Sequence, residues 1–377
     1  MDKNKLTKII FIVGPTASGK SDLALRLALR LNSGQAKLAP TFAKASAGRQ
    51  GKPFKKRGIP GAEIISADSR QVYRGMDIGT GKVLRDKNPK SKILNPKQTQ
   101  KSKFKIQNQE YYFKGIRHHL INVLSPKKQF TADDFKRLGE KAITDITSRH
   151  TLPIIVGGTG FYIDVLLGRI AVAEVPPNKK LRAQFDKLTA EKLFEKLQKL
   201  DPQRARTIDR YNKRRLIRAL EIAQAQNKKM SLKLAYANFR DIKSYRILWL
   251  GINPGKDKLA KNIKIRLARR LEQGMIKEVQ KLHNPPAGGG VSWKRLDDFG
   301  LEYRWISRWL KNPNFQFSIF NQFTNSNFKK SDEYKNLLRD IIRYSKRQMT
   351  WFKRNKEIHW LKNQKEANGL IKKFIYS

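Results

Sequence analysis

Gly14-Pro15-Thr16-Ala17-Ser18-Gly19-Lys20-Ser21 satisfies the phosphate-loop pattern G-x-x-x-x-G-K-[ST] at every fixed position. Its surroundings agree. Ile9-Ile10-Phe11-Ile12-Val13 before it is a short branched apolar run that reads as a buried strand, and Asp22-Leu23-Ala24-Leu25-Arg26-Leu27-Ala28 after it has helical spacing. Strand, glycine loop and helix in that order turn backbone N–H groups inward around phosphate oxygens and aim a helix N-terminus at them. The segment therefore predicts a diphosphate or triphosphate site built from Gly14, Thr16, Ala17, Ser18, Gly19, Lys20 and Ser21. Lys20 would reach the terminal phosphates, and Ser21 would hold a magnesium ion. The motif leaves open which phosphate compound is bound.

Outward from the loop, short apolar runs alternate with helical stretches, the mark of an α/β fold. The strand candidates are Lys8–Val13, Glu63–Ser66, Leu120–Val123, Pro153–Val156 and Arg246–Ile252. Thr131–Arg149 reads as a helix opened by Thr131 and early acids, and another helix begins after Gly157-Gly158-Thr159-Gly160. Asn178–Leu200 and Arg214–Gln226 follow as amphipathic helices with no strand between them. This predicts a first part of the core over 1–168, a helical insertion over 169–240, and core completion with C-terminal helices over 241–377. In that last part the helical stretches are Lys256–Leu282, Gly300–Leu310 and Asp332–Arg354. Residues 33–61 and 85–114 read as inserted loops rich in Lys.

The chain has 377 residues and a net charge of +50, from 81 Lys+Arg against 31 Asp+Glu. The two inserted loops contribute 14 of that charge, so +36 remains without them. A small-metabolite enzyme does not need such an excess; a polyanion does, and nucleic acid suits it better than a membrane. No apolar run approaches the ~20 residues of a transmembrane helix. The N-terminus enters a strand at once, leaving no room expected for a signal peptide. The absence of cysteine excludes disulfides, Cys-zinc sites and iron–sulfur clusters and agrees with a cytoplasmic location.

Asp68-Ser69-Arg70-Gln71-Val72-Tyr73 follows the second strand, and Gly157-Gly158-Thr159-Gly160 ends the fourth. In a doubly wound sheet, residues just past strand C-termini face the ligand crevice, onto which the phosphate loop also opens. Asp68 can there be a magnesium ligand, a general base or only a helix cap. The glycines permit close approach, and Thr159 offers a hydroxyl, although the same residues would also serve a tight strand-to-helix turn.

In order, these pieces resemble the tRNA dimethylallyltransferases, also called tRNA isopentenyltransferases. The matching segments are GPTASGKS at 14–21, EIISADSRQVYRGMDIGTGK at 63–82, HHLIN at 118–122, FTADDFK at 130–136, PIIVGGTGFY at 153–162, RRLIRALEI at 214–222 and KRQMTWF at 346–352. The resemblance spans nearly the whole chain. It implies a P-loop NTPase-like parallel sheet core with a helical insertion and a helical C-terminal region. It also implies transfer of a five-carbon group from dimethylallyl diphosphate to the exocyclic amine of the adenosine 3′ of a tRNA anticodon, with Mg2+. By that resemblance Asp68 is the general base, Thr159 lines the channel taking the adenine, and Arg266 acts on the diphosphate. Asp68, Ser69, Arg70, Gln71, Thr159, Arg182, Arg214, Arg215 and Arg218 match tRNA-binding positions. Arg347 and Gln348 fall in a C-terminal KRQ-x-TW signature, whose Trp351 and Phe352 read as core anchors. The partners expected are tRNA and dimethylallyl diphosphate, with no membrane, and the protein is expected to be a monomer. The chain departs from the pattern at Asn122, usually Asp, at Asn262, often Arg, and at Gly300-Leu301-Glu302-Tyr303-Arg304. A P-loop kinase of a small metabolite is the main alternative, but it would not need the remaining charge or the basic helical tail.

Overall fold

The computed structural model describes residues 6–33, 61–86, 110–173, 175–227, 245–285, 288–312 and 324–377. Most of the two predicted inserted loops, residues 34–60 and 87–109, lies outside the described residues. The chain divides into two compact units, Met1–Leu166 with Lys243–Ser377, and Leu167–Ile242.

The larger unit is built on a sheet of β1 (Thr7–Val13), β2 (Ala62–Ser66), β3 (Tyr111–Phe113), β4 (Ile116–His119), β5 (Leu152–Gly157), β6 (Tyr245–Ile252) and β7 (His359–Leu361), in the spatial order β3-β4-β2-β5-β1-β6-β7. Every pairing is parallel except β3 with β4. Four of the five predicted strands stand where the apolar runs are. The fifth is displaced: the strand is Ile116–His119, not Leu120–Val123. Leu120 and Asn122 have φ of 62° and 57°, a left-handed conformation in which no strand continues. Tyr111–Phe113, predicted as the end of an inserted loop, is instead the antiparallel edge strand.

Ile10, Ile12, Ile64, Ile154 and Leu250 point to one face of the sheet. They pack there with α1 (Lys20–Asn32) and the last helix of the chain, Gln364–Tyr376. Ile9, Phe11, Ile65, Ile155 and Trp249 are equally buried on the other face, where the Phe11 and Trp249 rings stack at 4.4 Å. Burial on both faces is why these strands read as unbroken apolar runs. α2 (Ala132–Ser148) begins at the predicted Thr131, in a full capping box with Asp134. It is followed after β5 by α3 (Gly160–Leu166).

The smaller unit holds α4 (Lys179–Phe185), α5 (Ala190–Leu200), α6 (Pro202–Thr207) and α7 (Lys213–Asn227). Phe185, Leu193, Leu197, Leu216 and Leu220 form its core. The single helix expected over 178–200 is two, because Thr189 caps a new start through Lys192 N–H. In the larger unit, Lys256–Leu282 likewise divides into α8 (Lys256–Glu272) and α9 (Met275–His283) at Gly274, whose φ is 95°. α10 (Trp293–Phe299), α11 (Leu301–Leu310), α12 (Asn325–Lys330) and α13 (Asp332–Phe352) precede β7, and α14 (Gln364–Tyr376) closes the chain.

Candidate active site

The C-terminal ends of β1, β2 and β5 lie side by side in register, Val13 opposite Gly157 and Ser66 opposite Val156. The loops that leave them therefore share one edge of the sheet, and these are the three loops singled out in the sequence. Ser69 N–H donates to the Thr159 hydroxyl at 3.3 Å, joining the second and third loops directly.

In the phosphate loop, Lys20 Nζ donates to Pro15 O at 3.0 Å. The buried Ser18 hydroxyl has no hydrogen-bond partner among the described residues. Ser21 is exposed on the first turn of α1. Burial pushes the Lys20 ammonium down to about 8; the Arg266 guanidinium adds to this, and Asp68 opposes it. Arg266, on α8, is pushed down to about 9, first by burial and then by Arg270, against Glu302 and Asp68. Arg270 has its own buried partner in Glu302. The Arg266 side chain makes neither a hydrogen bond nor an ion pair with the described residues, although it lies on the hydrogen-bonded helix α8. The crevice thus concentrates more positive charge than it neutralises, a state that an anion would relieve.

Asp68 does cap the following turn: its Oδ1 accepts N–H of Arg70 at 2.8 Å and of Gln71 at 3.3 Å. All of that capping falls on one oxygen, so Oδ2 remains available as an acceptor. The neighbours are more occupied. Arg70 Nε donates to Phe299 O at 2.9 Å. Gln71 bridges Ser66 Oγ, at 2.8 Å, to Thr80 O, at 3.3 Å.

Three groups that sequence reasoning did not place complete the crevice. Gln348, on α13, accepts from Thr16 N–H at 2.8 Å and donates to Gly158 O at 2.8 Å, so one amide clasps the phosphate loop to the third loop. A Cβ on Gly158 would lie 2.1 Å from Gln348 Nε2, which explains the glycine there. Tyr344 stands one helical turn earlier on α13, close enough to Asp68 to feel its charge. Its phenol is pushed up to about 12 by burial and by the Asp68 charge, so it is neutral at working pH. Asn262 Nδ2 donates to Ala17 O at 3.3 Å. In the sequence this position shows only a departure from the family pattern, Asn for the frequent Arg. The signature residues around Gln348 gave the one hint at the clasp. Trp351 and Phe352 are the anchors expected, Trp351 through its Nε1 bond to Asp164 at 2.8 Å and Phe352 by burial.

The other two departures are internal supports. Asn122 accepts from Lys82, whose ammonium also bonds Asp77 at 2.8 Å. In the altered segment, Glu302 pairs with Arg270, and Tyr303 donates to Glu278 at 2.8 Å. Glu278 in turn receives the N–H groups of Asp77, Ile78 and Gly79.

In the smaller unit, Arg182 Nη2 and Arg218 Nη1 both reach the buried Glu221 Oε2, at 2.8 and 2.7 Å. Arg218 also donates to Val175 O at 2.8 Å. Burial pushes Glu221 up, but hydrogen bonds from Arg182 and Arg218 outweigh it and hold the carboxyl below its ordinary value. Arg214 and Arg215 are exposed on the first turn of α7.

The IPP transferase family model matches residues 102–355. A tRNA dimethylallyltransferase of Geotalea uraniireducens is 32% identical over 372 residues, covering 97% of each chain. The chain belongs to the tRNA dimethylallyltransferase family. Among solved structures, the tRNA isopentenylpyrophosphate transferase of Bacillus halodurans superposes with a TM-score of 0.53 at 26% identity, covering 98% of this chain and 95% of that one. A eukaryotic dimethylallyltransferase acting on tRNA shares the fold, with a TM-score of 0.59 at 20% identity over 92% of this chain and 70% of its own.

Proposed function

We propose that this chain transfers a dimethylallyl group from dimethylallyl diphosphate to the exocyclic amine of the adenosine 3′-adjacent to the anticodon in tRNA. The observation that carries this reading is the meeting, at one sheet edge, of a phosphate loop with surplus cations and a carboxylate with a free oxygen, in a chain of this family. The diphosphate occupies the loop of Gly14, Thr16, Ala17, Ser18, Gly19, Lys20 and Ser21, where the unpartnered Ser18 hydroxyl and the crowded Lys20 and Arg266 find an acceptor. The adenine enters beside Thr159, having left the anticodon-loop stack. Its nitrogen forms a bond to the first carbon of the dimethylallyl group as the bond from that carbon to the diphosphate oxygen breaks. The amine proton passes to Asp68 Oδ2. Lys20 and Arg266 stabilise the charge developing on the leaving diphosphate.

Ser21 is a hard oxygen donor at the exposed start of α1, and it suits Mg2+, an ion that takes few protein ligands and completes its shell with phosphate oxygens and water. Such an ion would neutralise phosphate charge. The one cluster of potential ligands among the described residues, Glu63, His119 and Asp145, belongs elsewhere. Glu63 begins β2 at the far end from the loops, and Arg149 already pairs with it. The smaller unit and the exposed Arg214 and Arg215 contact the tRNA. No helix of the described residues is long and apolar enough to cross a membrane.

The direct test incubates the protein with unmodified tRNA and labelled dimethylallyl diphosphate and then digests to nucleosides. The expected result is label in a modified adenosine next to the anticodon. Label absent from nucleosides, with ATP-dependent phosphorylation of a small metabolite, would replace this reading by the kinase.

A further inference from the structure

Tyr211 stands out in the smaller unit as a large aromatic residue that the fold does not use. Its side chain is 73% exposed, whereas Phe185, Leu193 and Leu216 form the core beside it. The backbone that carries it is a hydrogen-bonded turn. Tyr211 N–H donates to Asp209 Oδ1 at 3.1 Å, and Asn212 N–H donates to Asp209 O at 3.1 Å. Asn212 Oδ1 then accepts Arg215 N–H at 3.2 Å and starts α7. The Arg210 guanidinium lies 5.3 Å from the Tyr211 ring centre and 5.5 Å from that of Phe194, so a cation backs the exposed ring. Residues 203–218 contain seven Lys+Arg against one acid, Asp209, whose side chain is used in the turn. An exposed aromatic ring carried on such a turn and backed by a cation has the chemistry of a base-stacking platform beside phosphate contacts.

We propose that Tyr211, backed by Arg210, stacks one unpaired base of the RNA substrate, while Arg214 and Arg215 hold adjacent phosphates. This rests on the reading of Leu167–Ile242 as a unit that contacts RNA. It adds a contact of a different kind, because stacking is insensitive to salt and phosphate pairing is not.

The test measures binding of the full-length protein to an unmodified anticodon stem-loop across a salt series. Tyr211→Ala is expected to weaken binding roughly 10-fold with an unchanged slope of log affinity against log salt. Tyr211→Trp is expected to bind as the parent does. Arg215→Ala is expected to lower the slope by about 0.7–0.9. Abasic substitution at one unpaired loop nucleotide should weaken the parent as much as Tyr211→Ala does and should weaken Tyr211→Ala no further. Parent-strength binding by Tyr211→Ala, or losses that add at every abasic position, would overturn the platform. If Arg215→Ala alone shows its effect, the RNA-contacting role of the unit survives without the platform. If Arg215→Ala is also neutral in strength and slope, that role fails with it.

Discussion

The crevice of the larger unit and the Arg182–Glu221–Arg218 cluster of the smaller one are both built from basic side chains at family positions, and they use them oppositely. Around the phosphate loop, Lys20 and Arg266 crowd each other and are pushed down in pKa. Around Glu221, two guanidiniums share a buried carboxylate, and Arg182 is pushed up through its hydrogen bonds to Glu221. A cation short of counter-charge is arranged for a ligand; one already paired with a buried carboxylate holds the fold. Arg182 and Arg218 match tRNA-contacting positions in the family, yet here their heads secure the segment before α4 to α7. Charge type and motif position alone do not separate the two uses.

The sharpest break in this comparison falls on Asp68, the carboxylate that follows β2 and keeps Oδ2 outside its cap. Asp68→Asn preserves the Oδ1 cap to Arg70 and Gln71 and removes the proton acceptor. Turnover should fall ~10²–10⁴-fold, with RNA affinity unchanged. Single-turnover kinetics beside an RNA-binding isotherm would show this, and normal turnover would reduce Asp68 to a cap.

The next effect belongs to the clasp. Gln348→Ala frees Thr16 N–H and Gly158 O, and it should raise the Michaelis constant for dimethylallyl diphosphate about 10-fold, the size of losing one to two buried hydrogen bonds. RNA affinity should hold. Gly158→Ala intrudes on the same amide, so the double variant should be less damaged than the two single losses predict. Strict additivity would mean that the clasp does not position the loop.

How far the sequence reaches follows from what joins these groups. Lys20, Asp68 and Thr159 could be brought together on paper because each follows a strand of a parallel sheet, and such strands end on one edge. Gln348 and Tyr344 could not. They arrive through docking of α13, more than 300 residues from the loop that Gln348 holds, and no local pattern encodes that packing. Glu221 is read as one more polar residue of a helix until folding buries it between two arginines. The misplaced strand at 120–123 has a similar origin, since an apolar run carries no warning of the left-handed turn at Leu120 and Asn122.

A smaller effect tests the neutralised cluster. Arg218→Ala leaves Glu221 with Arg182 and strips a donor from Val175 O; the cost should be about 1–2 kcal/mol of stability. Denaturant titration would register it. The salt slope of RNA binding should stay near the parent value, unlike that of Arg215→Ala. Unchanged stability with a slope lower by about 0.9 would return Arg218 to the RNA surface.

The smallest effect is one of pH, and the two regions should respond at opposite ends of the scale. Glu221 is held below its unfolded value, so its contribution is present above the ordinary carboxylate range and is lost as pH falls below it. Lys20 is pushed down to about 8, while the unfolded chain keeps that proton to about 10.4. Between those values the unfolded state binds more protons. Lys20 therefore penalises the unliganded fold fully below pH 8, and the penalty fades as pH rises above it. Diphosphate binding carries the reverse sign, because it prefers the charged ammonium. Affinity for inorganic diphosphate should fall about threefold between pH 7.5 and 8.5, the dependence expected when one group near 8 must be protonated. Thermal melts with and without diphosphate should thus converge as pH rises, and Lys20→Met should remove the trend while lowering affinity throughout. A Lys20→Met protein with the same pH dependence as the parent would assign the titration to another group and would remove Lys20 from the set of cations that the diphosphate relieves.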